Sequence, residues 1–458
     1  MMDAKETGSE NRMGTQPIGK LLFTMAFPLI ISMLVQAFYN IVDSLYVSRL
    51  NQAAFNAVSL SYPIQNIMSA IASGTGIGLV ALISRSLGEK DYKKANMLAN
   101  NGVFLALCSY LLMVLFAFLG LDAFFYAQTD IPEIIAYGKA YLTICCMFSF
   151  GQFGQVVFER LLQSVGKSHF SMYILLTGAI LNIILDPVLI FGWGPFPEMG
   201  VAGAAAATVT GQICSMMVGI VLNLRYNKEI RLQFRGFRPS GAMILSIYKI
   251  GVPSMLTIGI GSVMTFMMNR LLIAIESTAT AAAVFGAYFK IQSFFNMPVI
   301  GLSHGMNPII GYNLGAGKKD RMLKTYRLSL GCSFVYMFLG TMAFILIPGR
   351  LLGIFNASSQ MLEIGVPAFR IIAIAFTISA YSLVTSQFFM ACGKSFLALL
   401  MSVARQLVVL IPLAYLLGYT LGYSYVWFAI PIGELASVAM AVYGRIHIKK
   451  AIFDKMRL

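Results

Sequence analysis

The sequence predicts an all-α polytopic membrane protein with twelve transmembrane helices in two six-helix lobes. Three observations support this fold class: few charges, apolar runs of spanning length, and a pattern that occurs twice. Of the 458 residues, 58% are hydrophobic and 11% are charged, and the mean hydropathy is +0.77. A soluble domain carries about 25% charged residues. A transmembrane β-barrel would instead show alternating segments of about 10 residues, about half the length of these runs.

Twelve apolar stretches reach the roughly 20 residues that a helix needs to cross the hydrocarbon core. Prolines inside them, such as Pro28 and Pro63, are tolerated in transmembrane helices because neighbouring groups satisfy the freed backbone. Residues 1–18 are polar and mixed in charge, so the first apolar run is expected to remain as a helix. The predicted spans are 20–47, 55–83, 96–119, 136–158, 170–191, 200–224, 246–274, 281–310, 326–347, 364–391, 396–418 and 422–445.

Lysine and arginine fall on one side of this topology. With the N-terminus inside, 26 of the 33 basic residues lie in inside segments, and only Arg49 and Arg350 lie in outside loops. Because basic loops stay in the cytoplasm, both termini are predicted to be cytoplasmic. The net charge of +15 therefore reflects topology, and nucleic acid is not expected as a partner.

The second half of the chain repeats the first. The tripeptide Gly-Lys-Ser at 166–168 recurs at 393–395, a shift of 227 residues, and Asp186-Pro187 corresponds to Ile411-Pro412 at a shift of 225. Both halves begin inside, so they are predicted to be parallel repeats related by an axis along the membrane normal. Such paired lobes are typical of transporters, and nothing in the sequence resembles a channel selectivity filter.

These observations predict five regions. They are a cytoplasmic N-terminal tail (1–19), an N-terminal lobe (20–224), a cytoplasmic linker (225–245), a C-terminal lobe (246–445) and a cytoplasmic C-terminal tail (446–458).

Two aspartates lie inside predicted spans, Asp43 in the first and Asp186 in the fifth. A carboxylate at the bilayer centre costs on the order of 3 kcal/mol and persists mostly where it handles a proton, an ion or a cationic ligand. Both helices run outward. Asp43 follows Lys20 by 23 residues and Asp186 follows His169 by 17, about 35 and 25 Å of helix, so both acids are predicted in the outer half of one lobe.

Polar residues accompany both acids at helical spacing. A carboxylate pair of this kind indicates a proton or sodium site. The alternatives are that each acid completes a buried hydrogen-bond network, or that Asp43 lies at the outer interface. The second lobe has no counterpart, since Asp186 aligns with Ile411, which favours a task assigned to the first lobe. The predicted supporting residues are Tyr39, Asn40, Asn182 and Thr208.

Methionine is abundant, with 28 copies. Flexible thioethers and aromatic faces suit a pocket that repacks around varied ligands, although lipid-facing or core packing is the alternative for each residue. Neither a metal site, a cofactor nor a catalytic residue is expected, because the six cysteines form no CxxC pair and the three histidines are scattered. The predicted drug-pocket residues are Met264, Met268, Phe294 and Met297.

Several motifs carry a family resemblance that covers nearly the whole chain. They are Pro28, YNIVDSLYVSRL at 39–50, LGEKD at 87–91, Gly-Lys-Ser in both halves, NIILDPVLIFG at 182–192 and RQLVVLIP at 405–412. In these motifs the chain resembles the MATE (multidrug and toxic compound extrusion) transporters. Within that family it is most similar to the DinF-like branch and to MepA-like exporters of Gram-positive bacteria.

The resemblance implies a bacterial plasma-membrane exporter of drugs and organic cations, driven by an inward cation gradient. The sequence leaves the oligomeric state open, and each chain is expected to transport alone, as a monomer. The resemblance assigns proton coupling to Asp43 and Asp186 and a helix bend to Pro28. The NorM-like branch places acids in helices seven and ten. In this chain the predicted helix seven has no acid before Glu276, and the predicted helix ten, 364–391, has none. That difference argues against a sodium site in the second lobe, while sodium binding in the first lobe stays open.

Two other function classes stay open. A lipid-linked precursor flippase would need a cationic cavity, to which Arg270, Lys290 and Arg370 could contribute. A membrane prenyltransferase would need aspartate-rich motifs that hold Mg²⁺, and neither DxxxD nor DDxxD is present. An enzyme is therefore not expected.

Overall fold

The computed structural model describes residues 11–194, 196–233, 235–276, 278–355 and 357–449. Residues 1–10 of the predicted N-terminal tail and 450–458 of the C-terminal tail lie outside the described residues. Within the described ranges all regular secondary structure is helical, in agreement with the predicted fold class.

The first half of the chain forms nine helices within the described ranges. Side-chain caps begin three of them. Asn11 Oδ1 accepts from the Met13 amide at 2.9 Å, Asn51 Oδ1 accepts from the Ala54 amide at 2.6 Å, and Asp91 Oδ1 accepts from the Lys94 amide at 2.9 Å. The helices are α1 (Arg12–Thr15), α2 (Ile18–Ser48), α3 (Gln52–Gly88), α4 (Tyr92–Leu119), α5 (Leu121–Tyr126), α6 (Pro132–Met147), α7 (Phe150–Ser164), α8 (Ser168–Phe191) and α9 (Gly200–Tyr226).

In the second half, the described residues form α-helices and a π-helix of seven residues. The elements are α10 (Gly241–Ile275), α11 (Thr280–Gly315), α12 (Lys319–Leu346), α13 (Pro348–Gly353), α14 (Ser359–Ala391), α15 (Ser395–Val403), the π-helix π1 (Ala404–Leu410), α16 (Ile411–Leu421), α17 (Tyr423–Val426) and α18 (Ala429–Ile448).

The helices account for the predicted spans. Among the described residues, ten helical segments are long and apolar enough to cross a membrane, and the pair α6 and α7, bent by 44°, makes an eleventh. Helix α11 covers the remaining predicted span, 281–310, with 36 residues. Its polar residues, including Asn296, His304 and Asn307, lower its mean hydropathy. Its length still exceeds what a span requires.

The chain divides into two compact units, which we call the N-terminal and C-terminal lobes. The N-terminal lobe is Thr24–Val252, and the C-terminal lobe combines the described parts of Met1–Phe23 and Pro253–Leu458. The predicted linker, 225–245, belongs to the N-terminal lobe, where α4 holds it by side-chain amides. The amide of Asn100 both donates to and accepts from the Gln233 backbone at 3.2 Å, and Asn101 Oδ1 accepts from the Ser240 amide at 3.0 Å.

The two halves repeat a turn geometry. Gly166 and Gly393 both adopt positive φ, 82° and 73°, as do Lys90 and Gly317, 59° and 70°. At each of the four residues the amide bonds to a carbonyl three residues back, and the following amide bonds to a carbonyl five residues before itself. Both pairs are related by the predicted shift of 227. The sequence repeat is therefore also a repeat of backbone structure.

An N-terminal segment packs within the C-terminal lobe. Asn313 Nδ2 donates to the Met13 carbonyl at 3.0 Å, Lys318 Nζ donates to the Gly14 carbonyl at 3.0 Å, and an Arg321 guanidinium nitrogen donates to the Gln16 carbonyl at 2.7 Å. Residues 13 and 313 are thus joined across 300 positions of sequence.

Candidate functional site

Close packing of α8 against α9 sets the position of the candidate site in the N-terminal lobe. A Cβ at Gly203 would lie 2.3 Å from the Leu189 carbonyl oxygen, and one at Gly211 would lie 2.8 Å from the Gly178 carbonyl oxygen. Only glycine permits these approaches, and small residues commonly bring transmembrane helices together in this way. The polar side chains that α8 and α9 carry are therefore brought within hydrogen-bond distance.

Asp186 lies on α8 and is fully enclosed by protein. Asn182, one turn earlier, donates from Nδ2 both to Asp186 Oδ1 at 3.3 Å and to Thr208 Oγ1 of α9 at 3.2 Å. Asp186 Oδ2 and Asn182 Oδ1 are buried without a hydrogen-bond partner among the described residues. A buried carboxylate oxygen in this situation is costly, so it is a natural place for a proton, a cation or water to bind.

Asp43 lies on α2 and is half-buried, and its Oδ1 is enclosed without a hydrogen-bond partner among the described residues. Its charge is close enough to act on Asp186 and on Tyr39. The structure thus brings the two aspartates together inside one lobe. Each contributes one buried oxygen that no described residue pairs.

Three further residues join this cluster that the sequence analysis missed. Gln65 of α3 donates from Nε2 to the Tyr141 hydroxyl of α6 at 2.8 Å. Tyr141 and Cys145, one turn apart on α6, are buried and lie within range of the Asp43 charge. A polar Gln65 in an apolar run just after Pro63 was the available signal in the sequence.

The predicted supporting residues divide between two environments. Tyr39 lies half-buried on the Asp43 side of α2, with its hydroxyl bonded to Gln36. Asn182 and Thr208 contact each other as described. Asn40 is exposed on α2, and its supporting role stays a prediction.

Pro28 is buried within α2, which continues on both sides of it from Ile18 to Ser48. A proline removes one helical hydrogen bond. The Ser32 hydroxyl donates to the Pro28 carbonyl at 2.9 Å, one turn further along. The predicted bend at Pro28 stays a prediction.

The predicted drug-pocket residues lie on α10 and α11 of the C-terminal lobe. Met264 and Met297 are half-buried and Phe294 is 50% exposed, with its ring edge-on to Phe295 at 6.4 Å. Met268 is fully buried, so in this conformation it packs in the core. Drug binding by these four side chains stays a prediction.

In the C-terminal lobe, a buried acid is paired with a basic residue and not with a second acid. Arg405 of π1 forms a 2.7 Å ion pair with Glu434 of α18. The three basic residues of the flippase alternative, Arg270, Lys290 and Arg370, are exposed, and the Lys290 ammonium lies 5.8 Å from the centre of the Phe355 ring. In the described ranges, no group of three or more His, Cys, Asp or Glu residues could hold a metal ion.

The fold and the chain can be compared with known proteins. A solved outward-facing MATE family transporter of the MOP superfamily aligns with a TM-score of 0.90 at 23% identity, over 97% of this chain and 99% of that one. A MOP superfamily transporter from Pyrococcus furiosus, solved with a binding pocket of reverse polarity, aligns with a TM-score of 0.87 at 24% identity over the same shares. These likenesses show the fold.

Sequence comparison identifies the family. The multidrug export protein MepA of Staphylococcus haemolyticus is 26% identical over 428 residues, 93% of each chain. A FAD transporter of Shewanella oneidensis is 27% identical over 432 residues, 92% of each chain. The MatE family model matches residues 28–188 and again 253–416, once in each half.

The MatE family model and the MepA relatives define the class as a multi-pass membrane transporter, not an enzyme. The chain belongs to the MATE family, as its motifs indicated, and it is similar to the MepA exporters. Its bacterial relatives support a location in the plasma membrane.

Proposed function

We propose that this protein is a multidrug efflux antiporter that exports amphipathic organic cations in exchange for protons by alternating access. One observation carries the proposal: Asp43 and Asp186 converge in the N-terminal lobe, each with a buried oxygen that no described residue pairs. The MepA relatives are named as multidrug export proteins, and the one from Staphylococcus haemolyticus aligns over 93% of its length. Their names support drugs as the cargo. Intramembrane acids that face a bundle interior are typical of proton relays.

The proposed proton step centres on Asn182. In the arrangement described, its Nδ2 faces both Asp186 Oδ1 and Thr208 Oγ1, which suits a charged carboxylate. A protonated Asp186 carries a donor hydrogen, for which the unpaired Oδ1 of Asn182 is an acceptor one helical turn away. Rotation of the amide would then exchange the Nδ2 contact with Thr208 for an Oδ1 contact. Protonation thereby changes the hydrogen bonds between α8 and α9.

Coupling requires that the two transport states bind the proton with different affinity. In the proposed cycle, the outward-facing state takes up protons at the acid pair and releases drug. The inward-facing state releases the protons and takes up drug. Two nearby carboxylates titrate as a pair, so the cycle assigns the protons to the pair and not to one residue. Sodium is the alternative coupling ion at the same site.

The decisive experiment uses purified protein in liposomes with ethidium as cargo. A pH gradient and a sodium gradient are imposed separately, and dye movement is followed by fluorescence. Asp43→Asn and Asp186→Asn are expected to abolish efflux driven by the pH gradient, because neither variant can exchange a proton at that position. Asp130→Asn is the matched control, since Asp130 is exposed and lies outside the cluster.

Three results would overturn parts of this proposal. Full pH-driven efflux by Asp43→Asn or Asp186→Asn would exclude the acid pair as the coupling site. Transport driven by sodium alone in the unmodified protein would replace the proton as the coupling ion. Absence of ethidium transport under either gradient would remove the drug cargo.

An anionic dinucleotide is a second candidate cargo. The observation that favours it is the relative of comparable identity, 27%, named as a FAD transporter. The same liposomes loaded with FAD separate the two possibilities. Gradient-driven FAD movement without ethidium movement would assign the transporter to flavin export.

A further inference from the structure

A basic cavity lies within the C-terminal lobe, built from α12, α14 and α18 and sharing no residue with the acid pair. Its volume is about 410 Å³. Among the described residues that line it, four are basic and none is acidic. The basic residues are Lys319, Arg327, Arg445 and Lys449. The like charges of Arg327, Arg445 and Lys449 around one cavity repel one another, so an anion bound between them would lower the energy of the arrangement.

Neutral groups hold one of these cations in place. The Arg445 guanidinium lies 5.5 Å from the centre of the Tyr326 ring, and one of its nitrogens donates to the Tyr381 hydroxyl at 3.2 Å. The Tyr326 hydroxyl is in turn hydrogen-bonded to Thr385 Oγ1 at 2.8 Å. Because these partners carry no charge, Arg445 is oriented without being neutralised. A planar guanidinium fixed in this way is suited to bidentate binding of phosphate.

The same cavity has an apolar wall that reaches the exposed surface of α18. Leu323, Val442 and Ile446 line it, and the last two are 46% and 56% exposed. A free phosphate ion gains nothing from such a wall, whereas the acyl chains of a phospholipid do. The positive-inside distribution predicts that this end of the lobe lies at the cytoplasmic leaflet, where anionic lipids attract basic segments.

We propose that this cavity binds the phosphate headgroup of an anionic phospholipid. Arg327 and Arg445 contact the phosphate oxygens, Lys319 and Lys449 add charge, and the acyl chains lie along Val442 and Ile446. A neighbouring cavity shares Leu323 and Arg327 and contains the carboxylate of Asp320, which places the cationic subsite on the Arg445 side. The ligand chemistry is a phosphate ester, and the apolar wall assigns it to a lipid.

The test is a lipid titration of the full chain in detergent, read by native mass spectrometry. Phosphatidylglycerol is the probe, with phosphatidylcholine as the zwitterionic reference. The double variant Arg327→Ala/Lys449→Ala is expected to weaken retention of phosphatidylglycerol about tenfold, since each basic residue near an anionic lipid surface contributes on the order of a few-fold or more in binding. Arg327→Lys/Lys449→Arg, which preserves both charges, should retain the lipid.

The control removes the same charges elsewhere. Arg235→Ala/Lys228→Ala deletes one arginine and one lysine that are exposed in the linker, and it should leave retention unchanged. Equal loss in this control, or equal retention of phosphatidylcholine by the unmodified protein, would overturn the proposal. Displacement of phosphatidylglycerol by equimolar glycerol 3-phosphate would also overturn it, because the site would then bind soluble phosphate esters.

Discussion

At the residue scale, the two hydrogen bonds that Asn182 donates, to Asp186 and to Thr208, differ in strength. The first contact involves a carboxylate and the second a neutral hydroxyl, and hydrogen bonds to charged groups contribute about twice as much as neutral ones. Asn182 therefore connects the candidate coupling site to α9, and its two contacts can be separated by mutation.

Asn182→Ala is expected to reduce pH-driven ethidium efflux about tenfold or more, because it removes the donor to Asp186. Thr208→Val, which removes only the hydroxyl, is expected to reduce efflux by roughly fivefold or less. Initial efflux rates in proteoliposomes of matched protein content measure both. A larger defect in Thr208→Val than in Asn182→Ala would contradict the central position of Asn182.

Glu276 lies in the connection between α10 and α11, and it predicts a pH dependence. Its carboxylate accepts from the Thr278 hydroxyl, from the Thr278 amide at 2.8 Å and from the Ala281 amide at 3.1 Å. These donors, the Thr278 hydroxyl foremost, hold the pKa of Glu276 below its ordinary value. A lowered folded pKa contributes stability that is present above the unfolded pKa, about 4.3, and is lost as pH falls through the folded value.

Glu276→Gln should therefore lower the free energy of unfolding at neutral pH by about 1 kcal/mol, a typical loss for a helix cap. The difference between the variant and the unmodified protein should shrink as pH falls below about 4. Thermal unfolding in detergent at a series of pH values measures this. A difference that persists unchanged in acid would show that the carboxylate charge is not responsible.

At the element scale, the π-helix π1 sets the geometry of the Arg405–Glu434 pair. A π-helix is rare. It occurs mostly as a single-turn bulge inside an α-helix, frequently at a functional site. Here it presents Arg405 to Glu434 of α18, whose other oxygen is buried without a hydrogen-bond partner among the described residues. The pair is partly screened, since the Arg405 side chain is 25% exposed and Glu434 only 5%. Removing one partner leaves the other charge in a poorly solvated place.

Glu434→Ala is expected to destabilise the protein by about 2–3 kcal/mol, because Arg405 is left without its counter-charge. The double variant Glu434→Leu/Arg405→Met should be less destabilised than the single one, since it leaves no unpaired charge behind. A double-mutant cycle of Glu434→Leu, Arg405→Met and their combination, measured by thermal unfolding in detergent, gives the interaction energy. Additive losses would mean that the two side chains stabilise their helices independently.

The repeated turns make a second prediction at this scale. Gly317 and Lys90 occupy equivalent left-handed positions, and a Cβ at Gly317 would meet no heavy atom within 4 Å. Gly317→Ala should therefore cost about 1 kcal/mol from backbone strain alone. Lys90→Gly should relieve the same strain and stabilise by roughly 0.5 kcal/mol after the entropic cost of glycine. Gly317→Ala should lower the melting temperature, and Lys90→Gly should raise it.

At the scale of the whole molecule, hydropathy and charge were sufficient to predict the fold. Spanning length and the distribution of lysine and arginine are properties of the chain that the bilayer reads directly. Helix α11 shows the limit of this argument, because Asn307 and its polar neighbours dilute the apolar signal of a helix that is nonetheless 36 residues long. The 44° bend between α6 and α7 likewise contains no proline and gave no signal in composition.

The candidate site was predictable only in part. Asp43 and Asp186 were visible in the sequence because an acid in a long apolar run is conspicuous. Tyr141 and Cys145 were not, since they lie on α6 and reach the acids only through tertiary packing. Gln65 of α3 was visible as a polar residue in an apolar run, but its partner Tyr141 was not. Asn40 is exposed on α2, and its part in the cluster stays a prediction.

The contacts of Met13, Gly14 and Gln16 have a consequence for biosynthesis. Asn313 and Arg321 donate hydrogen bonds to these carbonyls. They are synthesised 300 residues or more after the residues whose carbonyls they bind. Residues 13–16 must therefore wait until Asn313 and Arg321 have been translated before they can dock. A nascent chain halted before Asn313 would leave those carbonyls in water, and proteolytic sensitivity near the N-terminus would report how far synthesis and insertion have advanced.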